Sequence, residues 1–124
     1  MTKEEIKAYV ELNEKFIKDC ERVKKIFSDL KDEGGYICFA DTFYCEDDEV
    51  AWHGVETGSY QYYEEHNGYF PIEYLSFTDD ELRDEVVKKN IEYKKRLEKE
   101  REEKEKAETE KRRKLFETLK KEFD

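Results

Sequence analysis

The chain has 124 residues, enough for one compact domain with an appendage, and its 47% charged and 36% hydrophobic residues lie close to the balance at which chains stay disordered. The net charge of −10 argues against direct nucleic-acid binding, and no apolar run approaches the roughly 18 residues of a membrane span. Met1-Thr2-Lys3-Glu4-Glu5 lacks the apolar stretch of a secretory signal, and Cys20, Cys38 and Cys45 show no disulfide-scaffold spacing, so mostly buried, reduced thiols in a cytoplasmic setting are expected.

Residues 3–33 predict a long helix. Thr2 and Glu5 form a capping box, in which each side chain satisfies the other residue's backbone N–H. Ile6, Tyr9, Phe16, Cys20, Val23, Phe27 and Leu30 fall on one 3–4 stripe interrupted by Asn13, and Val10, Leu12, Ile17 and Ile26 widen it. Gly34-Gly35 is the expected stop.

From residue 36 to 75, aromatic and β-branched residues with closely spaced breakers predict an antiparallel meander. Its four expected strands are Tyr36 to Cys45, Glu49 to Glu56, Ser59 to Glu64 and Tyr69 to Leu75. The turns between them are Glu46-Asp47-Asp48, Thr57-Gly58 and His66-Asn67-Gly68. Pro71 lacks a donor, which suggests an edge or a strand start.

Thr78 and Glu81 make a second capping box, and a helix follows with Leu82, Val86, Val87, Ile91, Tyr93 and Leu97 available to pack. From Glu98 to Lys114, 15 of 17 residues are charged and only Ala107 is apolar. Glu-to-Lys/Arg pairs at i,i+4, such as Glu100/Lys104 and Glu108/Arg112, support a helix standing free in water. Leu115, Phe116, Leu119 and Phe123 end it with an apolar patch. The expected class is therefore α+β: an N-terminal helix, a four-stranded antiparallel β-meander and a long charged C-terminal helix. Residues 1–97 would form the compact domain and 98–124 an extended charged helical tail.

Charge is segregated along the chain. Residues 32–82 hold 14 Asp/Glu and no Lys or Arg, whereas residues 1–31 sum to +1 and 83–124 to +3. Repulsion within such a segment destabilises the compact state, so a functional reason is expected. The same segment holds seven of the nine tyrosines and Trp52. Both faces of a meander cannot be core in so small a chain, which leaves tyrosines at the surface among carboxylates, a composition that suits a basic partner. The expected binding residues are Asp41, Tyr44, Glu46, Asp47, Asp48, Glu49, Trp52, Glu56, Tyr60, Tyr62, Tyr63, Glu64 and Glu65.

Other chemistry finds less support. Cys38, Cys45, His53 and His66 could supply four metal ligands, but their spacing lacks the close pairs of structural zinc sites. Asp47-Asp48-Glu49 has no EF-hand pattern around it. No hydrolase, zincin, P-loop or dinucleotide motif is present; a Cys45/His53 nucleophile pair can be imagined across a hairpin, but cysteines of this kind are usually buried and inert. No enzyme, cofactor or metal is expected.

A heptad-like first helix, a Tyr-rich meander ending in Phe70-Pro71-Ile72-Glu73-Tyr74-Leu75, the cap Thr78-Asp79-Asp80-Glu81-Leu82 and a Lys/Glu-rich tail together resemble small accessory proteins of tailed bacteriophages. The resemblance implies a phage protein working in the host bacterial cytoplasm. Small acidic proteins of that kind are often inhibitors of host defence, and the chain is similar in charge, not in motif, to anti-CRISPR and anti-restriction DNA mimics. The expected partner is a basic, nucleic-acid-binding host nuclease or effector complex, with no direct contact to nucleic acid or membrane. The alternative is an oligomeric structural or assembly protein that uses its amphipathic helices, for example as a homodimer.

Overall fold

The computed structural model describes residues 1–32, 37–58 and 62–123. In chain order the elements are α1 (Lys3–Phe27), β1 (Thr42–Glu46), β2 (Glu49–Thr57), β3 (Tyr63–Pro71), a 3-10 helix (Ile72–Ser76) and α2 (Asp79–Phe123). The class is α+β. Among the described residues the sheet has three antiparallel strands in the order β1-β2-β3, not the expected four.

The fourth strand is lost because His66-Asn67-Gly68 is not a turn. These residues run straight through β3 and pair with Gly54, His53 and Trp52. Gly68 serves packing instead: a Cβ there would lie 2.7 Å from the Trp52 indole, so only glycine lets that ring cover the strand. The expected third and fourth strands thereby fuse. Beyond Pro71 the chain turns into the 3-10 helix, whose Tyr74 enters the core. The start of the expected third strand, Ser59, Tyr60 and Gln61, lies outside the described residues.

β1 is also shorter than expected. Residues 37–40 make a turn closed by the Ala40 N–H to the Ile37 carbonyl at 3.0 Å. That turn crosses β2 so closely that a Cβ on Gly54 would fall 1.3 Å from the Phe39 carbonyl oxygen. Tyr36 and the Gly34-Gly35 stop lie outside the described residues.

α1 starts at its capping box as expected but ends at Phe27. Residues 28–30 donate to carbonyls three residues back, and the Ser28 hydroxyl also bonds the Lys25 carbonyl at 2.6 Å, tightening the chain out of the helix. Asn90 of α2 then seals the exit: its Oδ1 accepts from the Lys31 N–H at 2.8 Å and its Nδ2 donates to the Asp29 carbonyl at 3.3 Å. Arg22 makes a second tie, donating to Asp79 at 2.8 Å and to the Leu75 carbonyl at 3.3 Å.

The strand period of two puts Val50 and Trp52 of β2 and Phe70 of β3 on one face. These join Cys20, Val23 and Phe27 of α1, Tyr74, and Leu82 and Val86 of α2 in a single core cluster. Phe27, Phe70 and Phe77 surround the Tyr74 ring at 5.4 to 6.2 Å between centroids. The stripe on α1 is therefore core only in its C-terminal half. Ile6, Tyr9, Val10 and Leu12 are exposed, as is Ile17.

Packing divides the chain into two units, Met1–Asn90 and Ile91–Asp124. The second is helical throughout its described length. Ion pairs along it include Arg101–Glu105, Arg113–Glu110 and Arg113–Glu117, at 3.5 to 3.8 Å on exposed side chains. None is an expected Glu-first i,i+4 pair: the two at i,i+4 run from Arg to Glu, the weaker orientation, and Glu110–Arg113 is i,i+3, so each contributes at most about 0.2–0.5 kcal/mol. No helix among the described residues is long and apolar enough to cross a membrane.

Candidate functional site

The face of the sheet turned from the core carries Tyr44 and Glu46 from β1, Glu49, Ala51 and His53 from β2, and Tyr63, Glu65, Asn67 and Tyr69 from β3. Tyr44 and Tyr69 are paired with Ala51 from either side, and their rings leave Ala51 only 2% exposed while remaining 51% and 59% exposed themselves. The next row toward the β1–β2 turn pairs Glu46 with Glu49 across the two-residue loop Asp47-Asp48. Asp47 takes the positive φ of 53° that so tight a loop needs. Four consecutive carboxylates thus surround the tip, beside two tyrosines.

The field of this group is visible in Tyr69. Its phenol is held above its ordinary pKa, first by the Glu46 carboxylate and then by Tyr44. The Tyr69 hydroxyl stays a hydrogen-bond donor beside the carboxylates of the loop. The cations of the helices bond elsewhere: Arg22 pairs with Asp19 and Asp79, Lys24 with Glu21 and Arg83 with Asp80. Among the described residues, the one basic side chain set against the sheet carboxylates is the His66 imidazole.

The other expected binding residues do not all join this patch. Glu56 and Glu64 sit on the core-facing side, directly opposite each other at the far end of β2 and β3. The His66 Nε2 lies 3.1 Å from Glu56 and 3.9 Å from Glu64. From Glu49 to Glu56 the strand travels about 23 Å, so the acidic residues form two groups, not one sheet-wide surface. The exposed hydroxyls of Tyr62 and Tyr63 donate to Glu64 and Glu65 respectively, which holds both phenols above their ordinary pKa. Asp41 is occupied structurally, accepting from the Val55 N–H at 3.2 Å. Tyr60 lies outside the described residues.

Trp52 requires a correction. It is 6% exposed and part of the core, because its position in the strand alternation matches Val50 and it packs over Gly68. It is not available to a partner. Tyr69, absent from the expected binding set, takes its place on the surface. The signal for it was the alternation itself, which the expected break at His66-Asn67-Gly68 concealed.

The chemistry considered from sequence is also relocated. Cys45 is exposed, Cys38 half-buried and Cys20 buried, so the thiols are not uniformly interior. Cys45 pairs with Val50 on the core-facing side while His53 lies on the other, which separates that nucleophile pair. Cys38, Cys45, His53 and His66 do not converge. Among the described residues the one group with metal-ligand geometry is Glu56, Glu64 and His66.

Comparison with known proteins finds no matching family model, no similar curated protein and no similar solved structure.

Proposed function

We propose that this is a binding protein whose outer sheet face, centred on Tyr44, Tyr69 and the Glu46-Asp47-Asp48-Glu49 loop, occupies a basic nucleic-acid-binding surface on a partner. In the fuller form of this reading the protein is phage-encoded and inhibits a host defence nuclease in the bacterial cytoplasm. The carboxylates stand in for phosphates and the two tyrosines for base surfaces. The observation that carries it is the exposed concentration of four carboxylates and two tyrosines, with no Lys or Arg of the described residues paired to them. Such a patch steers a cationic partner and supplies stiff aromatic anchors for the contact. Glu56 and Glu64 lie about 23 Å along the sheet from the Glu46-Asp47-Asp48-Glu49 loop, which confines the interface to the loop end.

The test is a pull-down from bacterial lysate with the wild type and with a Glu46→Lys, Asp48→Lys, Glu49→Lys variant that leaves the positive-φ Asp47 intact. The wild type should retain a basic nucleic-acid-binding protein, release it at high salt and yield it to competing duplex DNA. The variant should lose at least tenfold in affinity. Equal capture by the variant, or indifference to DNA, overturns the reading.

A second reading, assembly through the helices, is favoured by one observation. Ile6, Tyr9, Val10 and Leu12 of α1 stay exposed, and Tyr9 and Leu12 line a groove with Phe16 and with Phe43, Tyr44 and Cys45 of β1.

A further inference from the structure

We propose that Glu56, Glu64 and His66 bind a divalent transition-metal ion, with zinc the best fit, at the end of the sheet remote from the acidic loop. The β2–β3 register makes Glu56 and Glu64 direct cross-strand partners. Like charges in that relation destabilise a sheet, and residues 32–82 contain no Lys or Arg that could relieve them. Glu46 and Glu49 are opposed in the same way at the other end, but only the far pair has an imidazole nitrogen set against it. His66 follows Glu64 by two residues, so the strand alternation puts all three side chains on one face.

The ligand atoms all lie within 4.8 Å of one another, with 3.1 and 3.9 Å from Nε2 to the two carboxylates. A tetrahedral ion with ligands at about 2.0–2.1 Å needs ligand-to-ligand separations of roughly 3.3 Å. Small side-chain adjustments about the observed positions supply that. The imidazole is held for the purpose: the Phe39 ring stacks on it at 4.7 Å and 20°. The Tyr62 hydroxyl donates to Glu64, orienting that carboxylate as outer-shell partners orient metal ligands. One nitrogen and two carboxylates leave a fourth position for water, an open zinc arrangement. Calcium, which takes six to eight oxygens, is poorly served by three side chains.

The site is independent of the acidic loop, so either proposal can fail alone. Titration of the full chain with zinc chloride by calorimetry, with cobalt chloride as an optical probe, tests it. One equivalent of zinc should bind and raise the melting temperature. Glu56→Gln and His66→Gln should each weaken binding more than tenfold while keeping the wild-type circular dichroism. Glu65→Gln, on the opposite face, should bind as the wild type does. The cobalt complex should lack thiolate charge-transfer absorption, which separates this site from the three free cysteines. No uptake of zinc, equal uptake by His66→Gln, or a thiolate band overturns the proposal.

Discussion

At single residues, the physical environment departs most from the ordinary at Cys20. Its side chain is fully buried, and burial pushes the thiol up from 9.0 to about 12, with negative charge at Cys45, Asp19 and Glu21 adding to the effect. The folded state thus holds its proton more tightly than the unfolded one. The associated stability is fully present below the unfolded value of 9.0 and is lost as pH rises toward about 12. Between about pH 8 and about pH 10.5 the loss from this group alone should be about 2 kcal/mol, measured by urea unfolding. Cys20→Ala should be less stable throughout yet fall less steeply. The buried Tyr74, raised first by desolvation and then by Glu85, leaves a residual slope in the same window. The glycines make a related point about local chemistry. Gly54 and Gly68 are required by what presses on them, the Phe39 carbonyl and the Trp52 ring, and nothing in their neighbours along the chain announces either contact.

Among the elements, the strongest local device is the exit of α1. Asn90 supplies one acceptor and one donor to the Lys31 N–H and the Asp29 carbonyl, in the segment that leaves the helix. Asn90→Ala should cost about 1–2 kcal/mol, seen as a fall of several degrees in melting temperature. Asn90→Asp, which keeps the acceptor for Lys31 and loses the donor to Asp29, should recover about half. An unchanged Asn90→Ala would mean that the i→i+3 bonds of residues 28–30 suffice to end the helix. The two capping boxes belong to the same scale and form as the sequence anticipates, with Thr2/Glu5 at 3.1 and 3.2 Å and Thr78/Glu81 at 3.1 and 3.2 Å. Their logic is contained within four residues, which is why spacing alone reveals them.

For the whole molecule, the apolar surface of α1 and the acidic surface of the sheet lead to different outcomes in solution. If the exposed Ile6, Tyr9, Val10 and Leu12 seat a second copy, the mass by light scattering should double with concentration, and Leu12→Glu with Ile6→Glu should return the monomer without loss of stability. A monomer at all concentrations would leave the acidic face as the binding surface that matters. The charged helix of the second unit carries no comparable apolar stripe between Glu98 and Lys114, and its exposed Leu115, Phe116, Leu119 and Phe123 cover about two turns.

By itself the sequence determined the class, the helix starts, the charge segregation and the exposure of tyrosines beside carboxylates, because each follows from short-range spacing or composition. Tertiary structure decided the number of strands, the burial of Trp52, the promotion of Tyr69 to the surface and the meeting of Glu56, Glu64 and His66. The reason is register. A strand's two faces and its cross-strand partners depend on pairing between residues far apart in the chain, and one glycine read as a turn, when a tryptophan ring needed it, breaks one strand into two.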